Sequence, residues 1–160
     1  MLDITVIAMG KLKERFYLDA AAEYEKRLKG YCQFKLLELP EVKLPDNPSA
    51  AEINAGLEKE ADIIFTKIPK GSWFCVLTPE GKLQSSEALA AKLHDVKVSG
   101  KSSLCFLIGS SFGMSPRLKD AADFKLSISP MTFPHHLARI MVLEQIYRAE
   151  AIQAGSKYHK

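Results

Sequence analysis

Five times over, the chain alternates a short apolar run with a segment of helical periodicity, and this most constrains its fold. Leu2 to Ala8 is rich in β-branched residues and reads as a buried strand ended by Gly10. From Lys13 to Lys29, Phe16, Ala20, Tyr24 and Leu28 recur at four-residue intervals, which predicts one helical stripe. Phe34 to Leu39 is a second strand, stopped by Pro40. Residues 40–48 hold Pro40, Pro45 and Pro48 and predict the most flexible loop of the chain. Ser49 and Glu52 have the spacing of a capping box, so a helix follows to about Thr66. Trp73 to Leu77 is a third strand and Ser85 to Val96 a helix. Leu104 to Ile108 is a fourth strand. Ser115-Pro116 opens a short helix to Ala122 with the favoured first-turn proline. Phe124 to Ser129 is a fifth strand, and the last helix runs from about Pro134 to Gln153, stopped by Gly155.

Such alternation with short links calls for an α/β fold: a parallel sheet covered on both faces by helices. The 160 residues fit one domain, residues 1–160, with no repeat or long linker. No stretch approaches the roughly 20 apolar residues of a membrane span, and Asp3 stands where a secretion signal would be basic, so a cytoplasmic location is expected. Cys32, Cys75 and Cys105 form no C-x-x-C pair and lie in apolar segments, where cysteine acts as a small hydrophobe. The net charge of +3 is too small to mark a nucleic-acid binder by itself. Lys11, Lys13 and Arg15 do cluster at the start of the first helix, and Lys26, Arg27 and Lys29 at its end, where cations suit the helix dipole.

In the last helix Ile140, Met141, Val142 and Leu143 are consecutive, so two of its faces are apolar. A helix on one sheet needs only one such face. Either the chain buries this helix entirely, or its second face meets another subunit; a homodimer is the expectation.

Ligands of open parallel sheets bind beyond the carboxyl ends of the strands. Leu77–Gly81, Ile108–Gly113 and Ser129–Pro134 fall at such ends and would share one rim. The glycines of the middle segment lack the full spacing of a nucleotide loop, and a plain tight turn is the better reading of them. His135 and Arg139 are neighbours on one helical face. His135 and His136 point apart, so a two-histidine metal site is not expected. Glu144 and Arg148 form an (i, i+4) pair that, if solvated, contributes only about 0.3–0.5 kcal/mol. The ending Lys157-Tyr158-His159-Lys160 is either a frayed terminus or a base-stacking, phosphate-holding element.

Several segments together resemble a known family. They are Phe106-Leu107-Ile108-Gly109 with Gly113, Leu126-Ser127-Ile128-Ser129, Met131-Thr132-Phe133-Pro134-His135, Leu137-Ala138-Arg139, Glu144-Gln145-Ile146-Tyr147-Arg148-Ala149 and Tyr158-His159-Lys160. The opening Ala8-Met9-Gly10-Lys11-Leu12-Lys13-Glu14 and Glu23-Tyr24-Glu25-Lys26-Arg27-Leu28 are also similar, so the likeness spans the chain. This pattern resembles the RlmH (YbeA) family, enzymes that methylate N3 of a pseudouridine in 23S ribosomal RNA.

The resemblance implies the SPOUT fold, with a carboxyl-terminal deep trefoil knot that periodicity does not reveal and general rules disfavour. It implies a homodimer that binds S-adenosylmethionine; no cluster has metal-ligand spacing, and a net charge of only +3 predicts that the RNA is read as a large shaped surface such as an assembled ribosome. Leu77, Gly109, Ser110, Gly113 and the run Ile128, Ser129, Pro130, Met131, Thr132 and Phe133 would hold the cofactor. Ser110 departs from the family's usual second glycine, so its Cβ must be accommodated. His135, Arg139, Tyr158 and His159 are the candidate catalytic residues. His135 is a proton acceptor or a structural cap. Arg139 and Arg148 suit phosphate or carboxylate contacts, and Tyr158 with His159 would close over the base, in their own or the partner subunit's site. Two alternatives stand: a methyltransferase of the same fold acting on another RNA such as tRNA, and a non-catalytic ribosome-associated RNA-binding protein.

Overall fold

The computed structural model describes all 160 residues. In chain order the elements are β1 Asp3–Met9, α1 Arg15–Leu28, β2 Gln33–Leu39, α2 Ala50–Phe65, β3 Trp73–Leu83, α3 Ser86–Val98, β4 Ser103–Ile108, α4 Pro116–Ala121, β5 Phe124–Ser127 and α5 His135–Gln153. The five strands form one sheet in the order β2-β1-β4-β3-β5, and every pairing is parallel. All carboxyl ends therefore lie on one edge, as the alternation of elements requires.

Strand alternation splits the core in two. Ile4, Val6, Ala8, Leu104 and Phe106 point to the face covered by α1, α3 and α5. Ile7, Met9, Cys105 and Leu107 point to the other, under α2 and α4. The helix boundaries follow their caps: Ser49 and Glu52 close both bonds of a capping box, Ser85 accepts from the Ala88 N–H, and Ser115 accepts from that of Arg117.

Four local expectations are corrected. The stripe on α1 does not include Phe16, which is 64% exposed. A strict spacing of four advances about 40° per step around a 3.6-residue helix, so the face that carries Leu28 continues through Tyr24, Ala21 and Tyr17 instead. β3 does not end at Leu77. Both Leu77 and Lys82 pair with Leu126, so Thr78 to Gly81 form a bulge within a longer strand. Gly81 makes this possible, because a Cβ there would stand 2.7 Å from the Leu126 carbonyl carbon. β5 ends at Ser127, two residues early, once β3 stops pairing with it. The proline loop is anchored as well, with the Val42 N–H donated to the buried Glu60 carboxylate at 2.9 Å.

The cysteines are buried and unpaired. Burial pushes the thiols of Cys32 and Cys105 up to about 12, and that of Cys75 up as well. All three remain inert fillers of the core. No helix is long and apolar enough to cross a membrane.

α5 crosses from the β5 edge back to a place between α1 and α3, and no residue from His135 to Gln153 is fully exposed. Its second apolar face is thus largely covered within the chain. What remains half-open, Ile140 and Met141, lines a groove of about 470 Å³ with Tyr24, Leu89 and Gln145.

Candidate active site

The bulge of β3, the turn after β4 and the crossing segment before α5 meet at the carboxyl edge of the sheet. They enclose a cavity of about 560 Å³, within the usual range for small-molecule sites. Leu77, Gly109, Ser110, Gly113 and Ile128 to Phe133 all line it, as does His135. Residues as far apart in the chain as Leu77 and Phe133 thus share one pocket because parallel strands deliver their ends to one rim.

The turn after β4 is built on close backbone approach. A Cβ on Gly109 would stand 2.4 Å from the Gly113 carbonyl oxygen. Ser110 and Gly113 exchange N–H···O bonds of 3.0 and 2.9 Å. Gly113 has φ +93°, which side chains rarely adopt. Ser110 shows no positive φ, and its hydroxyl turns back to the Gly113 carbonyl. Serine is therefore accommodated where a second glycine was expected.

Three polar groups of the cavity were not singled out by the sequence. Thr78 is 3% exposed, and its hydroxyl finds no partner of good geometry within the chain. Thr78 lines the cavity, and a buried hydroxyl beside the Glu80 carboxylate without a well-formed bond in the chain calls for a partner. Lys119 of α4 reaches the Glu80 carboxylate of the bulge, and that ammonium holds the Glu80 carboxyl down at about 2. No signal in the sequence links Glu80 to Lys119, because the fold creates the pair.

His135 begins α5 at the cavity edge, with Nε2 3.4 Å from Glu41 Oε1; contrary to the expectation that the two histidines point apart, its ring lies 4.2 Å from that of His136. Burial, with the His136 and Arg139 charges, lowers its pKa below 6.5. The imidazole is therefore neutral at pH 7 and able to accept a proton.

Arg139 departs from expectation. It is 1% exposed and does not line the cavity. Its Nη1 donates to Glu38 Oε2 at 2.5 Å, and its Nη2 to the carbonyls of Met9 and Gly10 at 3.1 and 2.8 Å. Glu38 also accepts the Leu12 N–H at 3.2 Å. The guanidinium ties the ends of β1 and β2 to α5, so it positions His135 one turn away instead of meeting a phosphate.

Nor do Tyr158 and His159 line the cavity. The tail folds onto α5 and α3. Glu144 Oε1 accepts from Arg148 Nε and Nη2 at 2.9 and 2.6 Å and from the Tyr158 hydroxyl at 3.0 Å. His159 bridges Arg148 at 3.0 Å and Glu87 at 2.7 Å. The Arg148 guanidinium lies 4.7 Å from the Tyr158 ring centre. Burial, with the Glu144 carboxylate, raises the Tyr158 pKa above 10 and keeps the phenol protonated. The Glu144–Arg148 pair is thus the half-buried centre of a network, not an isolated solvated pair.

A parallel α/β sheet with a cavity at its carboxyl rim is an architecture that many small-molecule-binding domains share, and the comparisons specify the class. Residues 2–159 match the family described as "Predicted SPOUT methyltransferase". The chain belongs to this SPOUT methyltransferase family, in the branch whose curated members are named ribosomal RNA large subunit methyltransferase H. Two of these are from Clostridioides difficile (strain 630), 43% identical, and Clostridium botulinum (strain Okra / Type B1), 42% identical. Each alignment covers 99% of this chain and 100% of the relative. The fold is also shared with a probable methylase family protein from Haemophilus influenzae Rd KW20, at TM-score 0.54 and 14% identity. That match covers 99% of this chain and 70% of the other.

Proposed function

We propose that this chain transfers a methyl group from S-adenosylmethionine to N3 of a pseudouridine in 23S ribosomal RNA, as a homodimer acting on assembled ribosomal particles. The observation that carries the reading is the rim cavity. Its glycine-built turn admits a ligand against the backbone, and the Thr78 hydroxyl stands ready for a polar partner. These features fit the cofactor, which would be held by Leu77, Thr78, Gly109, Ser110, Gly113 and the run Ile128 to Phe133. When bound, it supplies a methyl already on a good leaving group.

The protein's remaining tasks are alignment and proton removal. His135, neutral at pH 7, would accept the proton given up by N3 of the base and become imidazolium beside Glu41. Arg139 fixes the start of α5 and hence the imidazole. Tyr158 and His159 lie off the cavity of their own chain, so they close over the base in the partner's site. The groove with Ile140 and Met141 is the apolar seam on which the two chains would pair. The carboxyl-terminal segment crosses the rim between the β5 edge and the centre of the helical layer, a path compatible with the family's trefoil knot.

The test is transfer of tritiated methyl from S-adenosylmethionine to large-subunit particles lacking the modification, followed by mapping of the labelled base. Label on N3 of one pseudouridine, with naked RNA a much poorer substrate, supports the reading. Label on tRNA would favour another RNA target. No label despite bound particles would favour a non-catalytic role.

A further inference from the structure

Beside the cavity, aromatic rings run out to the surface. The His135 and His136 rings are 4.2 Å apart, those of His136 and Tyr17 6.1 Å, and those of Tyr17 and Phe16 4.3 Å. The run ends at Phe16, 64% exposed in the first turn of α1. Lys11, Lys13 and Arg15 stand at the same end of α1. All three are exposed and none enters an ion pair; of the neighbouring carboxylates, Glu38 faces the Arg139 guanidinium and Glu41 the neutral His135 imidazole. Cations are out of place electrostatically at a helix amino end. Glu14 makes no capping bond and no acid follows in the first turn. The bond from Arg139 to the Gly10 carbonyl and that from Leu12 to Glu38 fix this basic segment on the rim.

Resting on the RNA methyltransferase reading above, we propose that Phe16, Tyr17 and His136, with Lys11, Lys13 and Arg15, form a track for the single-stranded nucleotides that flank the target base. An exposed ring beside cations, backed by the half-buried Tyr17 and His136 rings, suits unpaired RNA, because each base offers a face for stacking and each linkage an anion. The track is continuous with the cavity through His135. Two copies of so basic a patch would repel, which argues against a subunit contact.

The experiment uses the full-length protein, with F16A and the double variant K11A/K13A, assayed against large-subunit ribosomal particles. The track predicts a KM for particles raised about tenfold by either variant, by analogy with the loss of one stacked base. The affinity for S-adenosylmethionine, the oligomeric state by sedimentation and kcat should stay unchanged. An unchanged KM overturns the proposal. So does weakened cofactor binding, which would assign Phe16 to the cofactor site, or dissociation of subunits, which would make the face an interface. Retention of a short oligouridylate at low salt separates the two levels. If wild type retains it and F16A does not, while no methyl is transferred by either, the track stands and the methyltransferase reading falls. Loss of both removes both.

Discussion

The rim cavity and the carboxyl-terminal tail were both marked as functional by the sequence, yet the fold treats them differently. The rim is assembled inside one chain from three strand ends, closed by backbone approaches at Gly81 and Gly109 that leave no room for a side chain. The tail is held on the outside by the Glu144, Arg148 and Glu87 contacts of Tyr158 and His159, away from the cavity. A preformed site can bind its ligand in a single subunit. A surface-held tail acts only where something is brought to it, and a second subunit is the economical way to bring it to a cavity.

Perturbing the two regions separately should give effects of different kinds. The largest is expected for Gly109→Ala, whose methyl collides with the Gly113 carbonyl. Displacing this turn should weaken S-adenosylmethionine binding at least about a hundredfold, as measured by calorimetry. Removing Tyr158, His159 and Lys160 should instead cut turnover on ribosomal particles by about a hundredfold, with cofactor affinity unchanged. Equal loss of both quantities would mean that the tail is part of the cofactor site. Mixing the truncated chain with G109A should recover activity if the tail works across the dimer.

Arg139→Met addresses the support beneath the rim. It removes the guanidinium from Glu38, which keeps the Leu12 N–H, and from two carbonyls. Breaking a pair buried on the arginine side and a third open on the glutamate side costs about 2–3 kcal/mol, below the full buried-pair range. Chemical denaturation should show that loss. A stability equal to wild type would release Arg139 for a direct role. For His135, folding lowers proton affinity, so activity should rise with pH through a midpoint below 6.5 and plateau above it. The native state correspondingly loses stability as pH falls below the ordinary histidine range. H135A should abolish the acidic limb of the pH profile and lower turnover far more than cofactor affinity. The smallest effect is expected for Ser110→Gly, within about 1 kcal/mol of stability, because the position needs no left-handed backbone.

Much of this was legible in the sequence because the signals were local. Periodicity placed the strands and helices, and Ser49, Ser85 and Ser115 marked helix starts that the caps confirm. Convergence of the rim segments followed from the rule that parallel strands end together. What was not legible depends on tertiary pairing. Glu38 meets Arg139 across 101 positions and Glu87 meets His159 across 72, and no periodicity records such partners. Arg139 illustrates the cost: its neighbour His135 made it look like a site residue, whereas its burial makes it a brace. The bulge at Thr78–Gly81 was missed because a strand that loops out and resumes looks like one that ends.

If the two regions divide the work in this way, the rim is a complete cofactor site within one chain and the tail is needed for transfer alone. Calorimetric titration of S-adenosylmethionine into the full-length protein and into the chain ending at Lys157 tests it most directly. Saturable binding of the same affinity in both is the predicted result. Absence of binding to the full-length protein, or its loss on removing the tail, would contradict the claim.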